Sequence, residues 1–337
     1  MEYINTRYLL NKRPKGMPTN DCWKLDRETI SDITNNEIII KNEFLSIDPY
    51  MRGRMNQGVS YAPPVQLGDV MVGETVGQVI ESKSSKYKVG DIVCVNNGWQ
   101  TYVKVKDSNE TILKVPPSNL PNSVFLGTLG MPGRTAYYGL YRVAKPKKGE
   151  TLVVSAASGA VGSVVGQLGK HIGCHVVGVA GGPEKSSYVT DELGLDHCID
   201  YKNDDVLEKL HEYCPNGIDI YFENVGGELT KNVAKLLNKG ARVPICGFIS
   251  KYNSLNVMAE ETPFHVLGKL NPKPKHRFFV VREWMNEFED TSALLHEYVK
   301  NNEIKFRETV TEGIENAPQA LRNVLSGKNF GKQVIKI

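Results

Sequence analysis

A chain of 337 residues is long enough for two domains, and its 40% hydrophobic and 23% charged residues are close to ordinary globular values. A formal net charge of +3 is small for that length and argues against nucleic acid or a membrane surface as a partner. No apolar run approaches the roughly 18 residues of a spanning helix, residues 1–30 carry no signal or transit pattern, and six scattered cysteines at 22, 94, 174, 198, 214 and 246 form no Cys-x-x-Cys pair. They read as reduced thiols in a cytoplasmic protein.

In chain order, the first third is rich in strand signals. Residues 37–40, 43–47, 74–80, 92–95 and 100–105 are short β-prone runs separated by Gly, Asn, Asp and Pro. Lys88-Val89-Gly90-Asp91 reads as a tight turn, and Pro116-Pro117 and Pro121 punctuate the end of a largely antiparallel β domain. From about residue 122 the pattern changes to alternating strands (151–156, 175–180, 196–200, 218–222, 241–246, 278–282) and helices (160–172, 184–194, 203–213, 226–238). Helices of this length between strands imply a parallel, doubly wound six-stranded sheet. Residues 283–301 read as a helix with apolar Trp284, Met285, Phe288, Leu294, Leu295 and Val299, and 305–337 add strand, helix and a last strand that returns to the first domain. The expected domains are 1–121 with 303–337, and 122–302.

The most informative stretch is 151–162. A short apolar β-branched run is followed by Ala157-Ser158-Gly159-Ala160-Val161-Gly162 and then by helical spacing. This is the G-x-G-x-x-G fingerprint with alanine at its first glycine, in the strand–turn–helix context that makes it credible. Gly159 lets the backbone approach a pyrophosphate, Gly162 lets helix and strand pack closely, and the helix N-terminus favours phosphate. An NAD site would carry Asp or Glu near the end of the next strand; here Ala180-Gly181-Gly182-Pro183 precede Glu184 and Lys185. A missing carboxylate removes repulsion against a 2′-phosphate and Lys185 supplies a cation, so the expected cofactor is NADP(H). The alternative for Lys185 is an ordinary solvated lysine.

Asp48-Pro49-Tyr50-Met51-Arg52, the block 130–137 (Gly-Met-Pro-Gly-Arg-Thr-Ala-Tyr), 156–167, 222–227 (Phe-Glu-Asn-Val-Gly-Gly), 246–253 and 327–332 together resemble one branch of the medium-chain dehydrogenases/reductases. That branch is the zinc-independent leukotriene B4 12-hydroxydehydrogenase/prostaglandin reductase family, to which curcumin and alkenal double-bond reductases are similar. The resemblance implies a GroES-like, mainly antiparallel β domain with a six-stranded Rossmann domain. The implied reaction is NADPH-dependent reduction of the double bond of an α,β-unsaturated aldehyde or ketone, and the implied assembly is a homodimer. Zinc enzymes of the superfamily carry Gly-His-Glu where this chain has Val72-Gly73-Glu74, and the four-cysteine lobe is missing, so no metal is expected.

The same resemblance implies the site. Gly159, Ala160, Val161 and Gly162 would hold the pyrophosphate, Lys185 the 2′-phosphate, and Tyr201 the adenosine end. Asn224 would lie at the carboxyl edge of the sheet. Cys246, Gly247, Phe248, Ile249, Ser250 and Tyr252 would line the nicotinamide side, Phe279, Val280 and Val281 would meet its amide, and Asn329 would close over the cofactor. Tyr252 is the expected donor to the developing oxyanion; Tyr50 is either a second chemical group or an aromatic wall of the substrate cleft. Arg134 and Glu223 depart from the family pattern, where a small residue and an aspartate are more frequent. Zinc-independent quinone reduction and a non-catalytic NADPH-binding sensor stay open as alternatives.

Overall fold

The computed structural model describes residues 1–58, 61–254 and 260–337. The chain divides into two compact units, Met1–Gly127 with Glu308–Ile337, and Thr128–Arg307.

The first unit opens with β1 (Tyr3–Leu10) and β2 (Trp23–Ile30), an antiparallel pair in which Arg7 faces Asp26 across the strands and also meets Glu28. Their charges point to solvent and to each other, so neither shows the apolar alternation of the strands read from sequence. β3 (Glu37–Ser46), α1 (Tyr50–Arg54), β4 (Glu74–Ser82), β5 (Ile92–Asn96), β6 (Tyr102–Lys106) and β7 (Leu113–Lys114) follow. The two strands expected at 37–40 and 43–47 are one. Lys41-Asn42 interrupts the apolar run without breaking the strand, because Asn42 is buried and bonded: its Nδ2 donates to Gln100 O (2.7 Å), and its Oδ1 accepts from Thr75 Oγ1 (2.9 Å).

The second unit runs α2 (Met131–Tyr138), β8 (Thr151–Ser155), α3 (Gly162–Ile172), β9 (His175–Ala180), α4 (Pro183–Ser187), β10 (His197–Asp200), α5 (Val206–Tyr213), β11 (Ile218–Phe222), α6 (Glu228–Ala234), β12 (Leu237–Ile245), α7 (Pro263–Gly268), β13 (Lys275–Phe278) and α8 (Phe288–Lys300). The chain then re-enters the first unit with β14 (Glu308–Glu312), α9 (Ala317–Leu325) and β15 (Lys332–Lys336).

Among the described residues the second unit's sheet has the order β10-β9-β8-β11-β12-β13, with every neighbouring pair parallel. This is the doubly wound dinucleotide-binding order, which reverses between β8 and β11 and leaves a ligand crevice at the strands' carboxyl ends. Val153, Val177, Val179, Ile199, Ile218, Tyr221, Val243 and Ile245 form its core with Leu210, Val233 and Leu267 from the helices. A strand expected at 278–282 ends at Phe278 instead. Val280 caps a 3-10 turn over Val281–Glu287, where the Glu283 carboxylate accepts from the Val280 N–H (2.8 Å).

The first unit's larger sheet has the order β14-β15-β3-β4-β5-β7, with β6 also paired to β3, and only β14–β15 is parallel. Ile38 and Ile40 face one core with Val79, Val93, Val95, Val103 and Ile112; Ile39 faces the other side, against Ile30 and Ile33. β15 brings Lys332 into this unit's interior. Its Nζ donates to Asp48 Oδ1 (2.8 Å) and to the Ile47 carbonyl (2.9 Å), and both side chains are at most 6% exposed. Ser46 Oγ donates to the other Asp48 oxygen. No helix among the described residues is long and apolar enough to cross a membrane.

A buried ion pair is destabilised most by removing one partner, which strands the other charge. Lys332→Met is expected to lower unfolding free energy by roughly 3–5 kcal/mol, with part of the loss recovered when Asp48→Asn is added. Urea unfolding of the three variants checks this; a Lys332→Met protein as stable as the parent contradicts it.

Candidate active site

The turn after β8 is shaped by one peptide. Ala156 takes a left-handed conformation (φ 52°), and its carbonyl oxygen accepts from the Gly159 N–H (2.9 Å). A Cβ on Gly162 would land on that same oxygen. Hydrogen is the only side chain that fits, and α3 can then start directly above the strand end. Ser163 N–H donates to Gly159 O (3.0 Å), while Ala160 and Val161 ride on the turn before the helix. The N-terminus of such a helix presents the positive end of its dipole, which favours an anion. The residues present thus fit a pyrophosphate: a tight glycine turn that lets a helix N-terminus start at the strand end.

At the adjacent strand end, Asp200 organises the corner. Its Oδ1 accepts from Gly182 N–H (2.6 Å) and Lys202 N–H (3.1 Å), and its Oδ2 from Asn203 Nδ2 (2.6 Å). Burial would raise its pKa, but these donors outweigh it and hold the carboxyl below the usual aspartate range. That acid is committed to the backbone. The Tyr201 ring lies over Gly181, where a Cβ would come 2.7 Å from Cε1. Lys185 stands in α4; burial first, then the positive charge of Lys202, lower its pKa. The Lys202 charge disfavours that of Lys185, and an anion near the two would relieve this. Lys202 was not among the residues singled out from sequence, although it follows Tyr201 directly; only the effect of its charge on Lys185 marks it.

The third corner joins β11 to β12. Asn224 Nδ2 donates to Ser155 O (2.7 Å) and its N–H to Ser155 Oγ (2.7 Å), so the strand ends of β8 and β11 are stitched together. The segment after β12 is stitched in turn: Cys246 N–H donates to Glu223 O (2.9 Å), Ile249 N–H to Asn224 O (3.2 Å) and Ser250 N–H to Val225 O (3.0 Å). Residues Ile249–Lys251 form a 3-10 turn that Tyr252 caps. The Tyr252 ring meets Phe248 edge-on at 5.8 Å, and its hydroxyl lies 2.6 Å from where a Gly247 Cβ would be. Burial, then the Glu223 charge, push the Cys246 thiol up to about 12, so it is no nucleophile at neutral pH. Phe279 is buried against Phe222 (6.1 Å between centroids), with Val280 and Val281 following at the 3-10 turn.

Tyr50 and Asn329 belong to the other unit. Tyr50 opens α1 directly after the buried Asp48, so the Lys332–Asp48 pair fixes its loop. Arg52 in the same helix is buried and donates to Gly16 O (2.9 Å) and Asn56 Oδ1 (2.6 Å). Burial, then Asp48 and Glu74, raise the Tyr50 pKa well above the ordinary phenol, so it stays a neutral donor through the physiological range. Asn329 Nδ2 donates to Gly331 O (2.9 Å), immediately before Lys332.

Two departures from the family pattern resolve differently. Arg134 is buried; its Nη1 donates to Ser292 Oγ (2.9 Å) and its guanidinium stacks 4.5 Å from the Phe288 ring, so it braces α2 against α8. Glu223 lies fully buried directly before Asn224. At Gly73, a Cβ would come 2.8 Å from Leu45 Cδ1, 3.1 Å from Trp99 Cδ1 and 3.2 Å from Met51 Cε. An imidazole has no room there. Among the described residues no three His, Cys, Asp or Glu side chains are grouped as a metal site requires.

A family model described as "N-terminal domain of oxidoreductase" matches residues 6–114, and one described as "Zinc-binding dehydrogenase" matches 160–271. Fold and matches together define a two-domain medium-chain dehydrogenase/reductase. The chain is 43% identical to the NADPH-dependent curcumin reductase of Escherichia coli (strain K12) over 99% of its own length and 97% of the relative's. It is 36% identical to the NADP(+)-dependent 2-alkenal reductase of Nicotiana tabacum over 100% and 98%. The crystal structure of CurA from Vibrio vulnificus in complex with NADPH superposes with a TM-score of 0.90 at 43% identity, covering 98% of each chain. The chain belongs to the zinc-independent curcumin reductase/prostaglandin reductase-like family of medium-chain dehydrogenases/reductases.

Gly162→Ala should cost about 1–3 kcal/mol through overpacking against Ala156 O and weaken dinucleotide binding. Calorimetric unfolding and titration calorimetry read both; unchanged values in both would mean that the turn opens without cost.

Proposed function

We propose that this chain reduces the carbon–carbon double bond of α,β-unsaturated aldehydes and ketones with NADPH. The observation that carries this reading is Tyr252. Its hydroxyl stands by Gly247 at the end of the wall 246–252, a proton-bearing electrophile in a chain whose Gly73 leaves no room for a metal-binding imidazole. The full-length similarity to a curcumin reductase and a 2-alkenal reductase supports the substrate class.

The residues divide the work. Gly159–Gly162 hold the pyrophosphate at the start of α3. Lys185 takes the 2′-phosphate, with Lys202 as a second cation and Tyr201 over the adenosine end. Asn224, Cys246–Ser250 and Phe279–Val281 hold the nicotinamide half, and Asn329 contributes a further cofactor contact. When bound, NADPH supplies a hydride to the substrate β-carbon. Negative charge then collects on the carbonyl oxygen, and the Tyr252 phenol donates a hydrogen bond to it. Water delivers the proton to the α-carbon, which completes the saturated carbonyl. Tyr50, held neutral, serves on the substrate side. The reading includes a cytoplasmic homodimer.

Steady-state assays with NADPH and simple enals and enones should show turnover; secondary-alcohol oxidation in place of any enone reduction would overturn the assignment. Tyr252→Phe should lower kcat on the order of tenfold to a thousandfold, and an unchanged kcat would mean that water or the cofactor suffices as donor. Lys185→Ala should raise KM for NADPH while leaving NADH nearly unaffected. Equal loss with both cofactors would count against a 2′-phosphate contact.

A further inference from the structure

We propose that Glu223 is the positioning residue of the nicotinamide wall: its buried carboxylate fixes the loop 224–227, and through that loop the orientation of Asn224 and of the segment that carries Tyr252. This rests on the reading of function above.

The carboxylate is inaccessible to solvent, and every donor on it named here is neutral. Oε1 accepts from Tyr221 OH (2.9 Å), Val225 N–H (2.8 Å) and Gly226 N–H (2.9 Å), with Ser155 Oγ at 3.4 Å; Oε2 accepts from Thr230 Oγ1. Burial raises its pKa, and these donors oppose that rise. A buried acid of this kind persists only where the surrounding donors are fixed, and fixing them is what it does for the loop. Two consecutive peptides, those of Val225 and Gly226, must aim their N–H groups inward at one oxygen.

Turning those N–H groups inward sets the loop's carbonyls. Asn224 O and Val225 O then receive Ile249 and Ser250 N–H from the segment after β12. The loop turns away through Gly226 and Gly227, both left-handed (φ 80° and 68°), and a Cβ at Gly226 would come 2.9 Å from Phe248 Cβ. The contact is therefore a zipper: carboxylate to loop, loop to wall, wall to Tyr252. Thr230 at the start of α6 and Tyr221 on β11 hold the carboxylate from both sides. The glutamate reaches two donors on separate elements, and an aspartate at this position would be one methylene shorter.

The test uses Glu223→Ala, Glu223→Gln and Glu223→Asp in the full chain. Each is measured for unfolding midpoint, NADPH affinity, kcat and KM with an enone, and the primary isotope effect with NADPH deuterated at the transferred position. Displacing reacting groups by about 1 Å can cost on the order of a hundredfold. Glu223→Ala is therefore expected to lower kcat roughly 10- to 100-fold, with enone KM changed less than kcat. Its isotope effect should exceed the parent's, because hydride transfer becomes slower relative to the other steps. Glu223→Gln keeps one oxygen for the two N–H groups and can turn its amide toward Thr230 Oγ1, so it should recover much of kcat.

Activity that falls only with the folded fraction, at an unchanged isotope effect, would overturn the proposal. Should the alanine variant not fold, parental kcat and isotope effect in both Gln and Asp variants would overturn it. If the parent binds NADPH but reduces no enone, the reading of function fails separately. The emission of bound NADPH then decides this proposal: a change in Glu223→Ala, or in Glu223→Asp should the alanine variant not fold, supports a displaced wall, and identical emission overturns it.

Discussion

Everything at the site depends on the parallel pairing of β8 with β11. Leu152, Val153 and Val154 stand opposite Ile220, Tyr221 and Phe222, so Ser155 and Glu223 leave the sheet side by side. This is the point where the strand order reverses and the helices on the two faces part. One strand end carries the glycine turn and the other carries Asn224. The hydrogen bonds between Ser155 and Asn224 close the gap between them. A shift of register by one residue would turn these groups to the other face and dismantle both corners at once.

Much of this was legible in the sequence because it is written in local patterns. A buried parallel strand is a largely apolar run, and 151–156 and, with Asp219 as its one charge, 218–222 show it; a close helix start demands glycine, and Gly162 supplies it. The unread parts have non-local causes. β1 and β2 look like polar loop because Arg7 finds Asp26 and Glu28 only once the strands are paired. The strand expected at 278–282 stops early because Glu283 reaches back to cap Val280, an event no apolar periodicity records. Lys202, and the bonding of Glu223, have no local signature for the same reason: Lys202 is marked by the effect of its charge on Lys185, and Glu223 by its bonds to the Val225–Gly226 peptides, both of which arise only in the fold.

Without a metal, the two charges that the reaction handles are met by different means. In the function proposed above, the cofactor's phosphates meet full positive charge at Lys185 and Lys202, while the Asp200 carboxylate is engaged by its backbone donors. In the same proposal the oxyanion is transient, and a neutral phenol serves it because a hydrogen bond strengthens as charge develops on the acceptor. A neutral donor also leaves the ground-state carbonyl largely unaffected. Placement then takes over from charge, and in the inference drawn above the hydrogen bonds of the Val225 and Gly226 peptides to the Glu223 carboxylate matter for that reason.

Enals and enones are themselves reactive toward thiols, and the attacking form is the thiolate. An enzyme for such substrates works best when its own cysteines stay protonated or buried. Burial pushes Cys174 up to about 11, and Cys198, Cys214 and Cys246 up to about 12. Cys22 and Cys94 are 1% and 5% exposed. Cys246 is the instructive case, because it sits in the wall beside Gly247 and is only partly shielded by area. The Glu223 charge adds to burial in holding its proton. Burial is thus the main protection of this thiol, and the carboxylate proposed to position the wall adds to it.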